Sequence, residues 1–229
     1  MHQGCGIQLA YKIIKDSGIL TSPKGEQSAK GAKSAKPAPA PQLFISPAAA
    51  THIFEAASIA ALADPAAAPP GSIVISDDLT AREFEPSLRQ AKNLLYICVN
   101  ASGRASAKRL GIGAWSATAS IAFYDDLVAK LQKAAGMAGL RFLEILTPCP
   151  KLWRSEPANT VEVARQAVEI GLWPLFELDH GRFTLSYKPP KLAGTDAFIS
   201  LQKLAVPDKA ALEKSWRLMA LGKPFETEV

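Results

Sequence analysis

The chain has 229 residues, 48% of them hydrophobic, and a formal net charge of +5, which is typical of a globular domain with one substantial core. No apolar run reaches the roughly 20 residues that a membrane helix needs, which argues against a membrane-spanning protein. Three distant cysteines, Cys5, Cys98 and Cys149, argue against a secreted disulfide framework, and the N-terminus lacks a signal-peptide pattern, so we expect a cytoplasmic protein.

The N-terminal segment, residues 1–20, is predicted to contain one amphipathic helix, Gly4–Asp16. Residues 21–41 are rich in Lys, Ala and Pro and poor in large apolar side chains, so we expect a mobile or extended linker. The linker lysines supply much of the net charge. No aromatic residues or recognition motif accompany them, so they fit a solvated segment and nucleic-acid binding is not expected.

Residues 42–190 are predicted to form one domain in which strands and helices alternate. Strands are expected at Leu43–Ser46, Ser72–Ser76, Leu94–Val99, Ala114–Thr118 and Arg141–Leu146, and helices at Ala48–Ala63, Ala81–Lys92 (interrupted near Pro86) and Tyr124–Gly136. Because the strands are continuously apolar, they predict a parallel sheet that is covered by helices on both faces.

The segment Leu146–Pro190 is predicted to contain a turn-rich loop, a helix and a β-hairpin. The helix would begin at Asn159 or Thr160 and stop at Gly171. The hairpin strands would be Trp173–Leu178 and Arg182–Lys188, joined by a tight turn over Asp179, His180 and Gly181. Residues 191–229 are predicted as a helical extension, with helices at Ala197–Leu204 and Pro207–Leu221.

Three stretches of this segment carry a family resemblance. They are Pro148-Cys149-Pro150, the run T-x-E-x-A-R-x-A-V-E-x-G-L-W-P-L from Thr160 to Leu175, and Tyr187-Lys188-Pro189. They resemble the C-terminal part of the thiamine-diphosphate-binding β subunit of 2-oxoacid:ferredoxin oxidoreductases, the pyruvate synthase family. Gly4–Gly6, Asn93–Cys98 and Ala117–Leu127 are similar to further parts of it. The resemblance implies an α/β fold with a parallel, Rossmann-like sheet of the thiamine-diphosphate-binding type, a C-terminal β-hairpin and helices.

The resemblance also implies a site for thiamine diphosphate and Mg²⁺. Family members take the metal ligands from a Gly-Asp-Gly at one strand end and an Asp-Asn pair after the next strand. The matching positions imply Asp77 and Asn100 as ligands of Mg²⁺, with Thr80 as a further cofactor-binding residue. Ser76 and Asp78 replace the two glycines, and a carboxylate there would repel a diphosphate. The alternative interpretation is that Asp77 and Asp78 cap the helix that follows.

An iron–sulfur cluster is the second cofactor that the resemblance raises, because active family members hold one with four cysteines. Cys5 and Cys149 stand at two of those positions, whereas His2 replaces a third cysteine and residues 47–51 contain none. Cys5 and Cys149 are therefore the candidate ligands of an incomplete site, and no cluster is expected. Cys98 is predicted to be a small buried hydrophobic residue.

These departures predict a degenerate β-like subunit of a 2-oxoacid:ferredoxin oxidoreductase-type complex, with a structural or partner-binding role and no catalytic residue of its own. The alternative is an active β subunit that binds Mg²⁺–thiamine diphosphate, oxidatively decarboxylates a 2-oxoacid and passes electrons through an iron–sulfur cluster to ferredoxin. Both interpretations predict that other subunits of such a complex are partners, with ferredoxin reached through the complex.

Overall fold

The computed structural model describes residues 3–21, 40–103, 111–189, 191–203 and 209–220. The predicted linker lies outside these residues except at positions 21, 40 and 41, and so do His2 and Leu204.

An eight-stranded sheet forms the centre of the fold. Its strands are β1 (Leu43–Ile45), β2 (Ala60–Ala61), β3 (Ser72–Asp77), β4 (Leu94–Asn100), β5 (Trp115–Ser120), β6 (Leu140–Leu146), β7 (Phe176–Asp179) and β8 (Arg182–Leu185). They lie in the order β2-β1-β3-β4-β6-β5-β7-β8. The first six in that order are parallel, β7 pairs antiparallel with β5, and β8 pairs antiparallel with β7 to complete a hairpin. The predicted parallel α/β sheet with a C-terminal hairpin is confirmed.

Helices cover both faces of the sheet. They are α1 (Gly6–Asp16), α2 (Pro47–Ala50), α3 (Asp78–Glu83), α4 (Glu85–Leu88), α5 (Tyr124–Ala135), α6 (Pro150–Trp153), α7 (Thr160–Glu169), α8 (Thr195–Leu201) and α9 (Lys209–Ala220). Strand β4 separates two cores, because Leu95, Ile97 and Val99 point into the larger one and Leu94, Tyr96 and Cys98 into the smaller one. Both faces of this strand are therefore buried, as its continuous apolar sequence predicts.

Helix α1 packs against the α/β domain and contributes to the larger core. Its residues Ala10 and Ile14 are fully buried. Near the start of the helix, the Thr160 hydroxyl donates to the Gly4 carbonyl at 2.8 Å, and the Phe54 amide donates to Gln8 Oε1 at 2.9 Å. These contacts place the N-terminus of α1 beside the start of α7 and the segment that follows α2.

The predicted helix over Ala48–Ala63 is wrong. The chain forms only α2, one turn of 3₁₀ helix at Ala56–Ser58 and the edge strand β2. Phe44 is paired with Ala60, and the Leu62 amide donates to the Ile45 carbonyl at 3.0 Å. The alanines favour a helix, but this stretch has few large side chains to bury, and backbone pairing along β1 overrides that preference.

The predicted helix over Ala81–Lys92 is two shorter helices, α3 and α4. The first begins at Asp78, earlier than predicted, because Asp77 caps it. The break comes at Phe84, where Pro86 occupies the first turn of α4 and cannot donate a backbone hydrogen bond to the preceding turn. The interruption near Pro86 is therefore confirmed, while the outer bounds of the prediction are shifted.

The predicted hairpin forms, but its turn contains only His180 and Gly181, because Asp179 belongs to β7, and both strands are shorter than predicted. His180 and Gly181 have φ of 47° and 83°, and Asp179 is paired with Arg182. Two successive positive φ angles are typical of a two-residue type I′ turn. The side chain of His180 is 72% exposed, as expected for a turn residue.

Gly113, which lies shortly before β5, packs closely against the backbone of Leu140. Its φ is +82°, and a Cβ there would lie 2.2 Å from the Leu140 carbonyl oxygen. We expect Gly113→Ala to destabilise the fold by about 3 kcal/mol, since strain at positive φ adds to a clash with backbone.

Gly181→Ala is the matched control, because its φ is +83° and nothing lies within 4 Å of a Cβ there. Its cost should be about 1 kcal/mol, from backbone strain alone. Urea unfolding measures both variants. Equal losses in the two would show that the contact with Leu140 is not the cause.

Candidate functional site

The candidate site lies where the central parallel strands end. Asp77 ends β3 and Asn100 ends β4, and these strands are neighbours in the sheet. Backbone hydrogen bonds extend the edge beyond the strands: the Ser46 amide donates to the Ile75 carbonyl at 2.9 Å, and the Thr147 amide donates to the Asn100 carbonyl at 2.8 Å. The carboxyl ends of parallel strands are where α/β folds bind ligands, so the two predicted residues end neighbouring strands at an edge suited to a site.

Asp77 is the N-cap of α3. Its Oδ1 accepts hydrogen bonds from the amides of Leu79 and Thr80, both at 3.0 Å, and its Oδ2 accepts from the hydroxyls of Thr80 at 2.6 Å and Ser46 at 3.1 Å. Burial alone would raise the pKa of the Asp77 carboxyl, but the bonds from Thr80 and Ser46 outweigh it and hold the pKa below its usual value. The capping interpretation is confirmed for Asp77.

Asp78 does not share the capping role of Asp77. It occupies the first turn of α3 and is 6% exposed, and its Oδ2 accepts from the Ser102 hydroxyl at 2.8 Å. The carboxylate thus ties the start of α3 to the loop that follows β4. Asp78 forms no N-cap, so that part of the capping interpretation is corrected.

Asn100 is fully buried and organises the loop after β4. Its Nδ2 donates to Glu144 Oε1 at 2.8 Å, while its Oδ1 accepts from the Ser102 amide at 3.0 Å and the Gly103 amide at 2.9 Å. The amide group therefore links β6 below it to the loop above it.

Trp153 closes the same loop from the other side. Its Nε1 donates to the Ala101 carbonyl at 2.7 Å, and a Cβ on Gly103 would lie 2.4 Å from its ring. The ring meets Phe198 of α8 edge-on, with 5.9 Å between centroids. The loop after β4 is therefore held between Asn100 and Trp153.

Sequence reasoning missed Ser46, Ser102 and Glu144 as parts of this network. Glu144 carried a visible signal, because it is an acidic residue among apolar neighbours in a buried strand. Ser46 and Ser102 carried none, since their role depends on the register between strands.

The two candidate cluster ligands each precede a helix. Cys5 is the N-cap of α1 and Cys149 the N-cap of α6, and both are partly buried. A Cβ on Gly6 would lie 2.9 Å from the Pro148 carbonyl oxygen, so the segments that carry the two thiols are in contact. Cys5 Sγ lies 3.7 Å from His52 Nδ1. Cys98 is fully buried in β4, as predicted.

Among the residues that the structure describes, no group of three or more His, Cys, Asp or Glu side chains could hold a metal ion. Within the same residues, no helix combines the length and the apolar composition needed to cross a membrane.

The described residues at this edge do not fit Mg²⁺–thiamine diphosphate. Both oxygens of Asp77 and the amide oxygen of Asn100 accept hydrogen bonds from the chain itself. Residues 76–81 contain no glycine, so the junction between β3 and α3 offers a diphosphate no bare backbone to approach. Thr80 uses both its amide and its hydroxyl to bind Asp77.

The cap at Asp77 predicts a pH-dependent stability. A carboxyl whose pKa is lower in the folded chain stabilises the fold fully above its unfolded pKa, about 4, and this stabilisation is lost as the pH falls through the folded pKa. We expect Asp77→Asn to cost about 2 kcal/mol at pH 7, with the difference from wild type shrinking below about pH 4.

Urea unfolding between pH 7 and pH 3 measures this difference. Asp16→Asn is the control, because Asp16 is exposed and should change stability by less than about 0.5 kcal/mol. A deficit in Asp77→Asn that stays constant down to pH 3 would rule out the ionised cap as its source.

The chain is similar in sequence to subunits of known oxidoreductases. No protein-family model matches the chain. It is 38% identical over 87 residues to the pyruvate synthase subunit PorB of Methanocaldococcus jannaschii, covering 38% of this chain and 29% of that protein. It is 33% identical over 122 residues to the ketoisovalerate oxidoreductase subunit VorB of Pyrococcus abyssi, covering 48% of this chain and 39% of that protein.

The matched regions thus span less than half the length of these relatives. A solved structure of a 2-oxoglutarate:ferredoxin oxidoreductase from Magnetococcus marinus, with 2-oxoglutarate, coenzyme A and succinyl-CoA bound, aligns with a TM-score of 0.41 at 12% identity. That alignment covers 97% of this chain and 87% of the other. The sequence matches confirm that the chain resembles β subunits of 2-oxoacid:ferredoxin oxidoreductases.

Proposed function

We propose that the chain is a PorB/VorB-like subunit of a 2-oxoacid:ferredoxin oxidoreductase-type complex, with a structural or partner-binding role. One observation carries this proposal: the chain is 33–38% identical to named subunits of such oxidoreductases over 87–122 residues. The saturated side chains of Asp77 and Asn100 support a role that does not depend on holding the cofactor.

Exposed apolar side chains support the partner-binding part of the proposal. Phe54, Leu79, Tyr124 and Leu152 are 51–78% exposed, and they lie in the segments that follow β1, β3, β5 and β6. Because the carboxyl ends of parallel strands share one edge of the sheet, we expect these side chains to lie along that edge, where a partner could cover them. The partner in this proposal is another subunit of the same complex.

The proposal is tested by isolating the tagged full chain from its native host and measuring the mass and composition of the assembly. We expect other 2-oxoacid oxidoreductase subunits in a fixed stoichiometric ratio to this chain. A chain that is recovered as a monomer, with no such subunit, would overturn the proposal.

Leu79→Ser and Leu152→Ser test the surface. Both side chains are exposed, at 70% and 53%, so the fold should tolerate the changes while partner recovery falls at least tenfold. Ile199→Ser is the control, since Ile199 is equally exposed at 53% but lies in α8, outside the segments that follow the parallel strands. Unchanged recovery in both leucine variants would count against this surface.

A further inference from the structure

We infer that the junction between β3 and α3 excludes phosphate-bearing ligands, because hydrogen bonds within the chain already use the groups that would bind them. The inference rests on the proposed function only for the identity of the cofactor, thiamine diphosphate, that family resemblance would place there. Three observations carry it.

The first is the state of the backbone amides. Amides at the start of a helix that follows a strand are the groups with which α/β folds bind phosphate. Here the amides of Leu79 and Thr80 both donate to Asp77 Oδ1 at 3.0 Å. A carboxylate of the chain itself already occupies the position that an incoming anion would need.

The second is the state of the oxygen ligands. A carboxylate offers about four lone-pair positions. Asp77 uses four, because the Thr80 and Ser46 hydroxyls bind its second oxygen. The amide oxygen of Asn100 accepts hydrogen bonds from the backbone amides of Ser102 and Gly103, which fill its two lone pairs. Binding Mg²⁺ through these atoms would break the cap of α3 and release that loop.

The third observation is the negative charge at the junction. The carboxylate of Asp78 is 6% exposed, and the Ser102 hydroxyl holds it in place at 2.8 Å. Two adjacent acidic residues therefore stand at a junction where a diphosphate would bring more negative charge, and water screens a buried carboxylate poorly. Attraction for anions is thus replaced by repulsion.

The inference is tested on the full chain and, by comparing wild type with Asp77→Asn, on the complex isolated with it. The probes are Mg²⁺ with thiamine diphosphate and Mg²⁺ with inorganic pyrophosphate, each at 1 mM, and the measurements are thermal unfolding and calorimetric titration. We expect a change in Tm of less than about 1 °C and no saturable heat with either probe, since a ligand that binds only the folded state raises its stability. Stoichiometric binding that is lost in Asp77→Asn would overturn the inference.

Asp77→Asn in the absence of any ligand gives a second, independent test. If the Asp77 carboxylate stabilises α3 through its own hydrogen bonds, this variant should unfold at a lower temperature than wild type. A residue kept only for a ligand would leave the ligand-free Tm unchanged or higher, which would contradict the inference.

The two proposals fail differently. Thiamine diphosphate bound to this chain inside a complex would overturn the exclusion and leave the subunit role intact. A chain without partners that also ignores both probes would overturn the subunit role and leave the exclusion intact.

Discussion

Replacing Trp153 with alanine should destabilise the folded chain by about 4 kcal/mol. The side chain is fully buried, and its indole nitrogen donates to the Ala101 carbonyl at 2.7 Å. Alanine would leave a cavity beside Phe198 and a carbonyl without its donor. Because Trp153 joins α6, the loop after β4 and α8, the loss should also loosen the edge of the sheet that carries Asp77 and Asn100.

Urea unfolding of two further variants separates these contributions. Leu152→Ala changes the neighbouring residue, which is 53% exposed, and should stay within about 0.5 kcal/mol of wild type. Trp153→Phe keeps an aromatic ring but removes the indole donor. Its loss in the free energy of unfolding should be about half of the loss in Trp153→Ala. If Trp153→Ala were no less stable than Leu152→Ala, the tryptophan would not be the anchor of this edge.

The central strands could be predicted closely from the sequence because both of their faces are buried. The prediction for β4, Leu94–Val99, differs from the observed strand by one residue. In a strand covered on both sides almost every side chain is apolar, so the run is long, continuous and bounded by polar residues. Helix α5 was equally clear, since its apolar residues recur at helical spacing and acidic residues fill its first turn.

The edge of the sheet could not be predicted in the same way. Strand β2 consists of two exposed alanines, and its existence depends on hydrogen bonds to β1 rather than on any apolar pattern. Local sequence favoured a helix there, and tertiary pairing decided otherwise. The same limit explains why the sequence predicts one helix over Ala48–Ala63, where the structure has α2, a 3₁₀ turn and β2.

The candidate site, too, could be predicted from the sequence only in part. That Asp77 caps α3 could be proposed from a strand-to-helix junction, because capping is local in sequence. Its bond to Ser46 spans 31 residues, and the bond from Ser102 to Asp78 spans 24. Such contacts depend on which strands are neighbours and in what register, and spacing along the chain does not encode either. The saturation of the site could therefore be recognised only from the structure.

Lys130 should give the second large effect, because it is a charged residue buried in the domain. Its side chain is 1% exposed, and its Nζ donates to the Thr118 carbonyl, Asp126 Oδ2 and Ser186 Oγ, each at 2.7 Å. Burial lowers the pKa of Lys130, and the adjacent Asp126 carboxylate offsets part of that shift. All three ammonium protons are used, so the residue joins α5 to β5 and to the segment after β8.

Lys130→Met retains the apolar stem but leaves three polar groups without their donor, so we expect a loss of about 3 kcal/mol in the free energy of unfolding. Lys133→Met is the matched control in the same helix. Lys133 binds Glu177 at 2.5 Å and Asp179 at 3.0 Å, but its side chain is 42% exposed. An ion pair in contact with water contributes less than about 1 kcal/mol, so the two variants should differ clearly in urea unfolding. Similar losses in both would mean that burial does not set the strength of the Lys130 contacts.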